Sequence, residues 1–203
     1  MKIICIGRNY IDHAKELNNP IPKQPVFFMK PETSLLLKNN PFFYPDFSKD
    51  IQHEVEVVVK INKIGKHILK EFASAYYDEI GLGIDFTARD LQTAAKAKGL
   101  PWEMAKAFDH AAPVGKFFKK THFADVQDFD FSLKINNEIR QVGNTRNMIF
   151  TIDEIIEYIS QFVSLKMGDL IYTGTPAGVG SVFIGDRLQG FIGDEEMFDF
   201  EIK

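Results

Sequence analysis

The chain has little cysteine: one residue, Cys5, in 203. A lone thiol closes no internal bridge, so a disulfide scaffold is excluded and a reducing, cytoplasmic compartment is the expectation. No apolar run approaches the ~20 residues of a membrane-spanning helix. Residues 1–6 lead straight into polar Gly7-Arg8-Asn9, without the apolar stretch of a secretory signal or the Arg/Ser-rich pattern of a transit peptide. Positive charge is not in excess, since 24 Lys and Arg against 28 Asp and Glu leave a net charge of −4. A nucleic-acid binder normally carries a basic surplus, so neither nucleic acid nor membrane is an expected partner. Cys-x-x-Cys, His-Glu-x-x-His and Gly-x-Ser-x-Gly are also absent, which leaves zinc and serine-hydrolase chemistry without support. There is no internal repeat and no linker-like segment.

What is there is ordinary globular composition, 45% hydrophobic and 26% charged. A chain of this length buries roughly 70% of its unfolded surface, which is enough for one domain over 1–203 without a staple. Strand-like segments dominate. Residues 54–61 are rich in valine, and residues 134–141 turn naturally at Asn136-Asn137. Residues 187–192 and 197–202 flank Gly193-Asp194-Glu195, another hairpin signal. The proline-dotted stretch 20–45 reads as short strands joined by turns. Helices are few. Thr151-Ile152-Asp153-Glu154 is a capping box, followed by Ile152, Ile155, Ile156 and Ile159 on one face. A second helix is predicted from Thr87 or Ala88 to Gly99, a third over 69–77 and a short one over 10–17. Without regular βαβ alternation, the fold class is mainly β, of the α+β kind.

Several residues could carry chemistry. In His53-Glu54-Val55-Glu56-Val57 on a strand, Glu54 and Glu56 share one face and His53, Val55 and Val57 the other. On spacing alone the pair reads first as solvated glutamates on a half-exposed strand; the other reading is two oxygen ligands for a hard divalent cation, which would need a third carboxylate. Asp85, after Ile80-Gly81-Leu82-Gly83-Ile84, is the candidate, although a helix-entry aspartate looks the same. Arg89 and Gln92, three apart on a helix, either bind a carboxylate or lie on the surface. Lys106, among aromatic and apolar neighbours, either snorkels to the surface or clamps an anion. His13 and Glu16 share a helix face; a carboxylate that orients an imidazole makes a general base for water, and a solvated i, i+3 pair is the plain alternative. Thr173-Gly174-Thr175-Pro176-Ala177-Gly178-Val179-Gly180 lacks the pattern of a nucleotide loop, and either presents the Thr175 hydroxyl to a ligand or is a turn.

In order along the chain, Gly7-Arg8-Asn9-Tyr10…His13-Ala14-Lys15-Glu16, Phe28-Met29-Lys30-Pro31, His53-Glu54-Val55-Glu56, Asp85-Phe86-Thr87-Ala88-Arg89-Asp90-Leu91-Gln92, Lys98-Gly99-Leu100-Pro101-Trp102, Ala105-Lys106, Arg140-Gln141, Asn147-Met148-Ile149-Phe150 and the 173–180 loop resemble the fumarylacetoacetate hydrolase family. The resemblance runs nearly end to end and is to the short branch with acylpyruvate hydrolases, fumarylpyruvate hydrolases and oxaloacetate decarboxylases. It implies a mixed β-sandwich roll with a few short helices, and a homodimer. It implies Mg²⁺ or Mn²⁺ on Glu54, Glu56 and Asp85, and catalytic roles for His13, Glu16 and Lys106. His13 and Glu16 would sit on a mobile lid over about 8–20. It further implies substrate contacts from Lys30, Arg89, Gln92 and Thr175. The expected substrate is a small anionic 2-oxo acid: an acylpyruvate-type 2,4-dioxo acid cleaved at a C–C bond by way of a pyruvate enolate held at the cation, with oxaloacetate decarboxylation as a related activity. Isomerisation or decarboxylation of 2-hydroxyhepta-2,4-diene-1,7-dioate is an alternative, as is a non-catalytic family member.

Overall fold

The computed structural model of the protein describes residues 1–16 and 20–203. The predicted short helix and the lid segment therefore run, at 17–19, outside the described residues. In chain order the elements are β1 Ile3–Gly7, α1 Ile11–Glu16, β2 Val26–Lys30, β3 Leu35–Leu36, β4 Ile51–His53, β5 Val55–Ile61, α2 Lys70–Ala73, β6 Tyr77–Ile84, β7 Thr87–Ala88, α3 Arg89–Lys98, α4 Glu103–Lys106, β8 Ala112–Lys119, β9 Asp130–Ile135, β10 Glu138–Asn144, α5 Ile152–Phe162, β11 Leu170–Tyr172, β12 Gly180–Ser181, β13 Arg187–Ile192 and β14 Glu195–Glu201. The chain is mostly β, with a curled sheet and a few short helices, as expected.

A seven-stranded mixed sheet has the order β2-β1-β11-β5-β6-β8-β3. Only β1–β11 and β3–β8 pair in parallel; the other neighbours are antiparallel. The strand β5 lies near the middle and is buried on both faces, which is why its sequence is a run of valines rather than an alternation. Val55, Val57 and Val59 join the main core with Ile80, Leu82, Phe131, Leu133 and Leu188. That core lies between this sheet and a four-stranded sheet, β10-β9-β13-β14. On the other face Val58 packs with Ile3, Cys5, Leu170 and Tyr172. Each such side chain contributes about 1.5–3 kcal/mol on burial.

The hairpin built by β4, β5, β6 and β7 positions the site. Residues 53–59 do not form the single strand that their spacing predicts. The inner strands β5 and β6 pair in the large sheet, while β4 and β7 pair in a separate three-stranded sheet, β12-β4-β7. The hairpin thus bends sharply at Glu54 on one strand and at Asp85-Phe86 on the other, pinned by a hydrogen bond from Asp85 N to Glu54 O of 2.8 Å. Glycine makes room beside this bend. Gly83 stands opposite Glu56, and a Cβ there would meet Pro113 O at 2.6 Å and the Tyr172 ring at 2.9 Å.

Helix ends differ from expectation for local reasons. Thr87 and Ala88 pair with Gln52 and Ile51, so α3 begins at Arg89. Tyr77, buried and paired with Ile61, belongs to β6, and only Lys70–Ala73 of the predicted third helix is α-helical. The helix behind the capping box, α5, forms as read, with its isoleucines buried.

Candidate active site

Glu54, Glu56 and Asp85 converge at the bend, each offering a carboxylate oxygen within 4.8 Å of the others, and all three are buried. Isolated buried carboxylates are costly, so each needs cationic or hydrogen-bond partners. Lys106, at the end of α4, donates to Glu54 Oε2 at 2.9 Å, to Asp85 Oδ2 at 2.8 Å and to Thr87 Oγ1. Arg89 donates to Glu54 Oε1, to Gln52 Oε1 at 2.8 Å and to Gln92 Oε1. Glu56 Oε2 accepts from Gly174 N at 2.7 Å, across a turn that Gly174 makes with φ of 100°. Lys30 lies behind Asp85 with its Nζ 2.7 Å from Oδ1, but off the hydrogen-bonding direction, so that buried oxygen accepts no hydrogen bond.

The charges divide unequally. Burial alone would push Glu54 up, but the Lys106 ammonium and the Arg89 guanidinium outweigh it and hold the carboxyl well below the usual carboxylate range. Glu56 has no such cation in contact. Burial, then the negative charges of Asp85 and Glu54, push it well above its ordinary value. The Lys106 ammonium is disfavoured by burial, yet Asp85 and Glu54 outweigh that and raise its pKa. Within this buried cluster Glu56 alone has no cation in contact and is pushed toward neutrality, so positive charge is lacking on its side. All the cluster's donors are oxygens, which suits a hard divalent cation such as Mg²⁺ or Mn²⁺. The residues present therefore fit that group, with Glu54, Glu56 and Asp85 as the ones that would hold it.

These carboxylates floor a narrow cavity of about 40 Å³, partly open to solvent. His13, Arg89, Gln92, Lys106 and Thr175 are in its wall, so eight of the ten residues picked out in the sequence line the cavity. Glu16 reaches it only through His13, and Lys30 stands outside the lining. Fully buried, it donates to Phe86 O at 3.1 Å and Ala111 O at 2.9 Å, and it supports Asp85 from behind rather than lining the cavity. His13 Nδ1 is 3.1 Å from Glu16 Oε2, and Glu16 Oε1 accepts from Gly178 N at 3.0 Å. An ionised carboxylate only accepts, so the Nδ1–H donates to Glu16 and leaves Nε2 as the basic nitrogen.

Sequence reasoning missed Arg8, Lys96, Val26, Phe28 and Trp102 as wall residues. Lys96 was findable, being four residues after Gln92 on the same helix face. It also missed Gln141 as a support. Its Oε1 faces His53 Nδ1 at 2.9 Å and accepts from Val55 N at 3.0 Å, while its Nε2 donates to Thr175 Oγ1 and Pro176 O, both at 2.9 Å. Gln141 thereby ties β10 to β5 and to the 174–178 loop. Burial lowers the His53 pKa, which keeps this link neutral.

Residues 2–203 match the family profile described as fumarylacetoacetate (FAA) hydrolase C-terminal. The chain belongs to the fumarylacetoacetate hydrolase family. It is 40% identical over 201 residues to the mitochondrial oxaloacetate tautomerase of Mus musculus, covering 99% of this chain and 91% of that one. It is 42% identical over 203 residues to the mitochondrial oxaloacetate decarboxylase of Dictyostelium discoideum, covering 99% and 93%. Its fold is similar to that of fumarylpyruvate hydrolase from Pseudomonas aeruginosa in complex with Mn²⁺ and pyruvate, with a TM-score of 0.93, 34% identity and coverage of 100% and 89%. It is also similar to 2-hydroxyhepta-2,4-diene-1,7-dioate isomerase from Mycobacterium marinum, with a TM-score of 0.85, 30% identity and coverage of 99% and 73%. The fumarylacetoacetate hydrolase family thus includes hydrolase, isomerase, tautomerase and decarboxylase relatives of this chain. Among the described residues no helix is long and apolar enough to cross a membrane.

Proposed function

We propose that the protein is a Mg²⁺- or Mn²⁺-dependent enzyme that cleaves a C–C bond of acylpyruvate-type 2,4-dioxo acids, and that the same site decarboxylates oxaloacetate. The observation that carries this reading is His13, hydrogen-bonded to Glu16, in the wall of the cavity floored by Glu54, Glu56 and Asp85. The cation, when bound, supplies Lewis-acid stabilisation of the negative charge that grows on the 2-oxo oxygen. The protein does the rest. Lys106 sets a buried positive charge beside the same position. Glu16, fixed by the Gly178 amide, aligns the imidazole. His13 Nε2 takes a proton from water, whose oxygen bonds to the distal carbonyl carbon. The bond from that carbon to the methylene then breaks, its electron pair passing into the pyruvate enolate. The proton that His13 took from water passes to the enolate carbon, which leaves a carboxylic acid and pyruvate.

Decarboxylation of oxaloacetate generates the same enolate and needs no water, so His13 is dispensable for bond breaking there. The names of the Mus musculus and Dictyostelium discoideum relatives, an oxaloacetate tautomerase and an oxaloacetate decarboxylase, support that branch. The isomerase neighbour supports a second reading, a proton shift in a 2-hydroxy-dienedioate by the same dyad. We place the protein in the cytoplasm as a homodimer, which light scattering of the purified chain measures. The test is a panel of acetylpyruvate, fumarylpyruvate, oxaloacetate and 2-hydroxyhepta-2,4-diene-1,7-dioate, each with Mg²⁺ or Mn²⁺ and with EDTA. Metal-dependent release of pyruvate from acetylpyruvate or fumarylpyruvate is the expected result. Turnover of the dienedioate alone favours the isomerase, and turnover of none favours a non-catalytic protein.

A further inference from the structure

A buried glutamine stands behind the 174–178 loop, outside the lining of the cavity. Gln141 turns inward from β10 at a bulge. Ile139 pairs with Lys134 and Gln141 with Leu133, so Arg140 is an extra residue on β10. A bulge re-aims the side chain beside it, and here Arg140 and Val142 are exposed while Gln141 is buried.

Both ends of the Gln141 amide are fixed by backbone groups that cannot change role. The Val55 N–H only donates, so the side-chain atom 3.0 Å from it is the oxygen. The Pro176 carbonyl only accepts, so the atom 2.9 Å from it is the nitrogen. The second N–H of that nitrogen points at Thr175 Oγ1, 2.9 Å away, and the hydroxyl oxygen accepts it. A hydroxyl carries one proton, and with its oxygen facing a donor that proton leaves in another direction. Among the described residues the Thr175 O–H donates to no protein acceptor. Thr175 is itself buried and stands in the cavity wall, so a bound ligand is the acceptor within its reach.

The loop that Gln141 grips carries other parts of the site. Gly174 N donates to Glu56 and Gly178 N to Glu16. One amide, anchored on β5 beside Glu54 and Glu56, therefore fixes both the place of Thr175 and the direction of its proton. A donor fixed before the ligand arrives needs no reorganisation when charge meets it.

We propose that Gln141 is a positioning residue of the active site: its amide donates to Thr175 Oγ1 and thereby commits the Thr175 hydroxyl proton to a carboxylate oxygen of the bound acid. This rests on the reading of the floor as a 2-oxo acid site.

The experiment is calorimetric titration of the Mg²⁺-loaded full chain with oxalate, with thermal unfolding of each variant alongside. Thr175→Val keeps Gln141 and its two backbone partners but removes the hydroxyl. It should bind oxalate about tenfold more weakly, the effect of one charge-assisted hydrogen bond. Thr175→Ser keeps the hydroxyl and should bind like wild type. In Gln141→Glu a carboxylate only accepts, so the Thr175 proton turns toward it and affinity should fall by a similar factor. Gln141→Met removes the donor without adding charge and should also weaken binding. Adding Thr175→Val to either Gln141 variant should cost little more, whereas independent losses multiply. A Gln141 that serves stability alone lowers Tm without that coupling. Unchanged oxalate affinity in Thr175→Val, or losses that multiply in the double variants, overturns the proposal, while oxalate binding by wild type keeps the floor reading intact. Failure of both Gln141 variants to fold makes Gln141 structural only and overturns the proposal too. Wild type that binds no oxalate overturns both.

Discussion

A single histidine separates the two chemistries that this cavity supports. His13 is tied to Glu16, and Glu16 to the Gly178 amide, so the imidazole is pre-aligned as a base. His13→Ala should therefore cut acylpyruvate hydrolysis by roughly 10²–10⁴-fold, the usual contribution of a positioned general base. Oxaloacetate decarboxylation should fall much less, because it consumes no water. Steady-state rates with both substrates at saturating Mg²⁺ check this. An equal loss in both would mean that His13 serves a shared step, such as protonating the enolate. Lys106 is a different case, because it is part of the floor. Lys106→Met leaves Glu54 and Asp85 without the ammonium that bridges them. It should raise KM and lower kcat for every 2-oxo acid. It should also destabilise the fold by about 3–5 kcal/mol, as when one partner of a buried ion pair is removed; denaturant unfolding without metal measures that loss. Unchanged kinetics would show that Lys106 only packs. At this scale the spacing of Glu54 and Glu56 left two readings open and the resemblance along the chain chose between them, whereas the position of Lys30 behind Asp85 had no signal at all. A lysine that donates to two backbone carbonyls from behind a carboxylate leaves no local pattern.

Helix caps were the most legible elements, because their determinants lie within four residues. In α5 the Thr151 hydroxyl accepts from Glu154 N at 3.3 Å, while Glu154 Oε2 accepts from Thr151 N at 2.8 Å. Thr151→Ala should cost about 1 kcal/mol in thermal or denaturant unfolding. The carboxylate adds a pH signature. Its hydrogen bond to Lys70 lowers the Glu154 pKa below the ordinary 4.5 and outweighs burial, and Thr151 lowers it further. A group whose folded pKa is depressed stabilises the fold above its unfolded pKa and ceases to do so as pH falls through the folded one. The stability gap between wild type and Glu154→Gln should thus be present at neutral pH and close below 4.5, as measured by unfolding at a series of pH values. The bend of the β4–β7 hairpin was not legible. The residues 53–59 read as one strand because period-2 alternation continues through Glu54, and only pairing with two different sheets shows the joint. That joint brings Glu54 and Asp85, thirty-one residues apart, onto one floor.

At the scale of the whole molecule, the class of the fold followed from its many short alternating segments, but sheet order did not. Nothing local says that β11 inserts between β1 and β5, since that is decided by which apolar faces the whole chain can bury together. The same global packing carries the floor, because the carboxylates stand on strands of the central sheet and at its bend. A cation bound there should therefore stabilise the entire fold. At a Mg²⁺ concentration of about 100 Kd the linkage is about 2.7 kcal/mol, which for a domain of this size raises Tm by roughly 5–10 °C. Glu56→Gln gives the internal control. Burial and the charges of Asp85 and Glu54 push the Glu56 carboxyl up, so ionising it at neutral pH weakens the fold, and its neutral isostere keeps an oxygen for the Gly174 amide. With EDTA the variant should melt at or above wild type. With Mg²⁺ the order should reverse, because the variant has lost a charged ligand while wild type gains the full linkage. Scanning calorimetry of both proteins under both conditions decides it. A Mg²⁺ shift that is equal in the two would place the cation somewhere other than against Glu56.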